Sequence, residues 1–232
     1  MPERLTMKFG TDGKDIYRTD NTVLNEYTLE GLLNAYSDTI NRYIDKNKYK
    51  SIILIGHSEG ASLLPGIYLR LGNKDLVKGI VSMSYGGQSL YEQIKELATY
   101  DGTTGKPKLN DVQLEMCKRY AELRKIVIAK KDSLEWLDNY TYKWWYSFMD
   151  YSPVTDYASI DCPVLFIHGE DDVTVPVSST RYVEKTFGDK NGLFEYYYDQ
   201  TGDHSFNSEW GEHKMGEYIS NWIKASEPKQ SL

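Results

Sequence analysis

The chain has 232 residues, 40% hydrophobic and 26% charged, which is enough apolar material for one sizeable core and unlike a disordered polymer. Thirty-four acidic against twenty-seven basic residues leave a formal charge of −7. That balance argues against a general nucleic-acid or anionic-membrane binder, because either needs a basic face to meet phosphates. Two cysteines, Cys117 and Cys162, are too few for a disulfide scaffold and too far apart for a metal clip. Both are read as packing residues.

In chain order, the first residues carry no apolar signal-peptide core, and no run approaches the roughly 20 apolar residues of a membrane span. A cytoplasmic protein is the expectation. Leu29, Leu32, Leu33, Tyr36, Ile40, Tyr43 and Ile44 recur at helical spacing. They precede Ser51-Ile52-Ile53-Leu54-Ile55-Gly56, a continuous apolar run expected of a strand buried on both faces. A weaker strand is expected from Leu76 to Ser84. From about Ser89 to Tyr151 the alternation breaks into a long helix-patterned stretch, read as an insertion that caps the strand ends. Strands return at Pro163–His168 and Leu193–Tyr198, and a last helix is expected around Tyr218, Ile219, Trp222 and Ile223. Alternating strands and helices predict a mostly parallel α/β sheet flanked by helices.

The first strong strand runs into Gly56-His57-Ser58-Glu59-Gly60, after which a helix opens. This is G-x-S-x-G between strand and helix, the context that gives the pattern meaning. A sharp, strained turn lifts the serine hydroxyl above the sheet, and glycines are expected on both sides because side chains there would collide. The turn also sets the Glu59 backbone N–H at a helix N-terminus, where it can donate to a developing oxyanion. A nucleophilic serine needs a base and a group to orient that base. The late strand leads into Gly169-Glu170-Asp171-Asp172-Val173-Thr174-Val175-Pro176, and Asp172 is favoured as the orienting acid, with Asp171 second. Of four histidines, His57 lies inside the elbow and points away from the reacting side, His168 ends a strand and reads as packing, and His213 falls on a helix surface. His204, on a polar glycine-containing loop after the last strand, is the favoured base. No cofactor or metal is implied, since no H-E-x-x-H spacing is present and Gly10–Asp15 lacks phosphate-loop spacing.

These segments resemble the α/β-hydrolase superfamily and, more narrowly, bacterial esterases with a Gly-His-Ser-Glu-Gly elbow and a helical cap. Ser84-Tyr85-Gly86-Gly87 resembles the turn into the cap, and Tyr151-Ser152-Pro153-Val154 resembles the return. The resemblance implies a core of residues 1–88 and 152–232 with a cap over 89–151. It also implies Ser58 as nucleophile, His204 as base, Asp172 as its partner, and hydrolysis of a small-molecule ester through an acyl-enzyme. Trp136, Trp144, Trp145 and Tyr146 of the cap are expected to line an apolar pocket. An acyl thioesterase or a non-catalytic ligand-binding protein are the competing readings; peptidase relatives usually add a propeller domain. In the family the nucleophile strand is the fifth, whereas here 50 residues precede Ser51. The expectation is therefore a fold lacking its first strands and the loop that supplies a second oxyanion donor. Leu5–Phe9 would then pair with Ser51–Ile55 or leave an edge open, and a homodimer is expected to cover such an edge.

Overall fold

A computed structural model gives the fold and describes residues 8–9, 15–16, 21–99, 110–207 and 211–226. Two short strands, β1 (Lys8–Phe9) and β2 (Asp15–Ile16), pair with each other antiparallel. Lys8–Phe9 is thus paired away from the main sheet; Leu5 to Met7 lie outside the described residues. Helix α1 (Asn21–Glu26) leads into α2 (Leu29–Asn47), which Thr28 caps by accepting the Gly31 N–H at 3.2 Å. Leu32, Leu33 and Ile44 form its buried stripe, and Lys48 closes it in the left-handed region, φ 50°.

The strand β3 (Ile52–His57) and helix α3 (Glu59–Arg70) follow, then β4 (Val77–Met83). The insertion comprises α4 (Leu90–Ala98), α5 (Asn110–Ala129), strands β5 (Trp136–Leu137) and β6 (Tyr140–Thr141), and α6 (Tyr142–Met149). The hairpin corrects the wholly helical expectation. Asp138, at φ 54°, and Asn139 make a two-residue turn, and aromatic and β-branched residues on either side pair Trp136 with Thr141 and Leu137 with Tyr140. The short α7 (Val154–Tyr157), β7 (Val164–Gly169), α8 (Ser178–Phe187), β8 (Phe194–Asp199) and α9 (Gly211–Ser226) complete the order.

The main sheet is wholly parallel, in the order β3-β4-β7-β8. Every residue of β7 is buried, as its unbroken apolar run demands of a central strand. Alternation divides the core in two. Leu54, Ile80, Val164, Phe166 and Phe194 pack with α2 and α3, while Val81, Leu165 and Ile167 pack with Met215 and Trp222 of α9. Trp144 and Phe148 of α6 belong to the first of these cores, so the insertion shares its interior with α2 and α3. Among the described residues β3 pairs on one side only, with β4, and its Ile55 is 54% exposed. No helix of the described residues is long and apolar enough to cross a membrane.

Candidate active site

A parallel sheet delivers the carboxyl ends of its strands to one edge, where loops collect side chains from distant parts of the chain. Ser58 is the single residue between β3 and α3, at φ 56° and ψ −124°, a conformation costly for any residue with a Cβ. Its N–H donates to the Met83 carbonyl at 2.9 Å, and its carbonyl accepts from Ala61 and Ser62. The turn is so tight that a Cβ on Gly56 would lie 2.6 Å from the Gly60 carbonyl oxygen. The second glycine departs from expectation. A Cβ on Gly60 meets nothing within 4 Å, because it is the backbone of Gly60 that crowds Gly56. Glu59 opens α3, so helix geometry gives its N–H no partner within the helix. Burial pushes the Glu59 carboxyl above its ordinary range, opposed by a hydrogen bond from Tyr27.

Asp172 lies in the loop after β7, fully withdrawn from solvent along its side chain. Its Oδ1 accepts the Thr174 and Val175 N–H groups, both at 2.8 Å. Its Oδ2 lies 2.8 Å from His204 Nδ1 and 3.2 Å from His168 Nε2. Burial by itself would raise this carboxyl. The donors from His168, His204, Val175 and Thr174 outweigh it and hold Asp172 well below the usual carboxylate range. An ionised carboxylate only accepts, so His204 carries its proton on Nδ1 and turns the Nε2 lone pair to Ser58 Oγ, 3.0 Å away. Ser58, His204 and Asp172 thus form one hydrogen-bonded chain across three loops. Asp171 is exposed and meets the same region through its backbone, its N–H donating to the Gly202 carbonyl at 3.0 Å. Glu170 pairs with Arg181.

The loop carrying His204 is gripped from beneath. His57 Nε2–H and the Ser84 hydroxyl both donate to the His204 carbonyl, at 2.7 and 3.0 Å. Gly169 lets the loop approach, since a Cβ there would sit 2.1 Å from the Gly202 carbonyl oxygen. The sequence reading missed these braces and the contact of His168 with Asp172. The one signal available for His168 was its position, four residues before the acid at the end of an unbroken buried run. The side chain of His213 lies outside the described residues.

The four aromatics of the insertion fall into different surroundings. Trp144 is buried in the core between Tyr140 and Phe148, with ring centroids 3.7 and 4.4 Å away. Trp145 donates from Nε1 to the Leu137 carbonyl and lines a cavity of about 200 Å³ with Tyr91, Ile94, Tyr120, Leu123 and Met149. Trp136 and Tyr146 are exposed. An apolar groove of about 380 Å³ lies closer to the hydrogen-bonded chain, lined by His57, Met83, Phe206, Met215 and Ile219. Cys162 is buried, and that burial pushes its thiol up to about 12, leaving it unreactive at neutral pH. Among the described residues, no three His, Cys, Asp or Glu side chains are grouped to hold a metal ion.

No known family's sequence profile matches the chain, and no curated protein matches it in sequence. Solved structures do match. Est1E from Butyrivibrio proteoclasticus superposes with a TM-score of 0.58 at 14% identity, covering 87% of this chain and 71% of that one. A lipase-esterase related protein from Clostridium acetobutylicum gives 0.51 at 20% identity, covering 84% and 75%. The acylaminoacyl peptidase of Pyrococcus horikoshii gives 0.53 at 15% identity; 90% of this chain matches, over 30% of that one. The architecture is that of the α/β-hydrolase fold, a mostly parallel sheet flanked by helices.

Proposed function

We propose that the chain is a serine hydrolase that cleaves small carboxylic esters through an acyl-enzyme. One observation carries this reading: the unbroken run Ser58 Oγ, His204 Nε2, His204 Nδ1, Asp172 Oδ2, closed by contacts of 3.0 and 2.8 Å. Ser58 Oγ attacks the acyl carbon while His204 Nε2 takes the hydroxyl proton, and Asp172 stabilises the resulting imidazolium. The carbonyl oxygen becomes an oxyanion, toward which the Glu59 N–H donates at the positive end of α3. Collapse expels the alcohol, which leaves with the proton from His204. Water then attacks the acyl-enzyme by the same route, freeing the carboxylic acid and Ser58. The likeness to a lipase-esterase related protein supports this class of substrate. The apolar groove lined by His57, Met83, Phe206 and Ile219, next to Ser58 and His204 in the chain, supports an apolar acyl or alcohol group.

An active-site-directed fluorophosphonate and para-nitrophenyl acetate test the reading together. The wild type is expected to label and turn over, and Ser58→Ala to lose labelling and at least about 10³-fold in kcat. Absence of labelling in the folded wild type would favour a ligand-binding protein without turnover.

A further inference from the structure

His168 is a fully buried histidine that the mechanism above does not use. Its Nε2 faces two groups that can only accept, the Val175 carbonyl at 3.0 Å and Asp172 Oδ2 at 3.2 Å. The proton therefore sits on Nε2 and is donated to the Val175 carbonyl, with Asp172 Oδ2 facing the same N–H at 3.2 Å. Its Nδ1 lies 2.7 Å from the Thr180 hydroxyl, which donates to it and so fixes that tautomer. Thr180 also lies 3.3 Å from the Tyr85 carbonyl, the longer and weaker of its two acceptors. Two imidazoles consequently face one carboxylate oxygen, His204 hydrogen-bonded to it and His168 in electrostatic contact, while the Thr174 and Val175 N–H groups bond the other.

Given the Ser58–His204–Asp172 reading, on which this inference rests, we propose that His168 is a positioning residue for Asp172. It fixes the Oδ2 edge toward His204 and, by sharing that oxygen, sets how strongly the carboxylate holds the His204 proton. The chemistry is that of a hydrogen-bond donor to an anion. Each donor withdraws charge from the acceptor and leaves less for the next. With His168 absent, Asp172 would bind the His204 proton more tightly. The other ionisable groups around His168 are few. Tyr198 stands beside it across the β7–β8 register, bonded to Glu184; Arg181 of α8 lies over the Tyr198 ring; Tyr85 follows β4. Asp172 is the carboxylate in direct contact with the His168 ring.

The experiment compares His168→Gln, whose amide can still donate, with His168→Leu, which cannot, and with Thr180→Val, which frees the tautomer. Circular dichroism establishes that each variant is folded. His168→Leu is expected to lose about tenfold to a hundredfold in kcat at nearly constant KM, with the acid limb of kcat/KM moving up by roughly half a unit to one unit. His168→Gln is expected to recover most of kcat and the wild-type limb, and Thr180→Val to fall between the two. If His168→Leu does not fold, the Gln and Thr180→Val pair decides by the same limb. The low-field proton of the His204–Asp172 bond, followed by NMR against pH, reads the same coupling without turnover. It separates this proposal from the hydrolase reading, which fails by loss of Ser58-dependent labelling. Unchanged limbs and an unchanged low-field titration in the folded variants would overturn the role of His168, as would equal losses in Gln and Leu.

Discussion

At Ser58 the chain holds a left-handed conformation that costs on the order of 1–3 kcal/mol, and the neighbours that enforce it are unequal. Gly56→Ala drives a Cβ into the Gly60 carbonyl, so it is expected to destabilise the protein by more than about 2 kcal/mol and to abolish labelling of Ser58. Gly60→Ala meets open space in helical backbone and is expected to be neutral or slightly stabilising, by up to about 1 kcal/mol. Urea unfolding of the two variants checks the contrast. Asp172 offers a second prediction at this scale. Its folded-state acidity is stronger than that of an unfolded aspartate, so its contribution to stability is present above about pH 4 and is lost as pH falls below that. Asp172→Asn is therefore expected to flatten the stability profile between about pH 4 and 2, and to cost about 10³–10⁴ in kcat through the wrong His204 tautomer. The same changes in Asp171→Asn would move the role to its neighbour.

The elements differ in how openly the sequence announces them. The four strands of the main sheet lie within one residue of the runs that predict them, but only β4 and β7 are buried on both faces. Among the described residues β3, expected to be so buried, lies at one sheet edge with Ile55 exposed, and the aromatic-rich β8 lies at the other. The elbow was equally legible, since a strand, a G-x-S-x-G turn and a helix leave one conformation open to the serine. Asp172 and His204 could be favoured by loop position, but the sequence alone could not separate Asp171 from Asp172. Of the two, it is Asp172 whose Oδ1 bonds to Thr174 and Val175 turn Oδ2 toward His204. The hairpin β5–β6 was invisible because its aromatics sit in a stretch with helical spacing and its turn depends on Asp138 taking a positive φ. The braces from His57 and Ser84 were invisible for another reason. Both act on a backbone carbonyl more than a hundred residues away, and a backbone group leaves no mark in the sequence.

Across the whole molecule, the insertion and the sheet share one interior. Trp144 and Phe148 of α6 lie in the same apolar cluster as Leu32, Leu33, Leu63 and Phe166, and the Ser147 hydroxyl accepts the first N–H of α2 at 3.0 Å. Trp144→Ala is accordingly expected to cost about 3–5 kcal/mol and to lower a single cooperative transition, with insertion and sheet melting together. Two separate calorimetric transitions would contradict this.

That shared interior also limits how the insertion can open. Swinging the insertion aside as one rigid flap would drag Trp144 and Phe148 into water and strip the cover from α2. Any local opening is expected in the outer parts, the largely exposed α5 and the hairpin, while α6 stays seated in the core. Hydrogen exchange should then be slow along α6 and fast along α5. The insertion would then open along a seam within itself rather than at a hinge at its base.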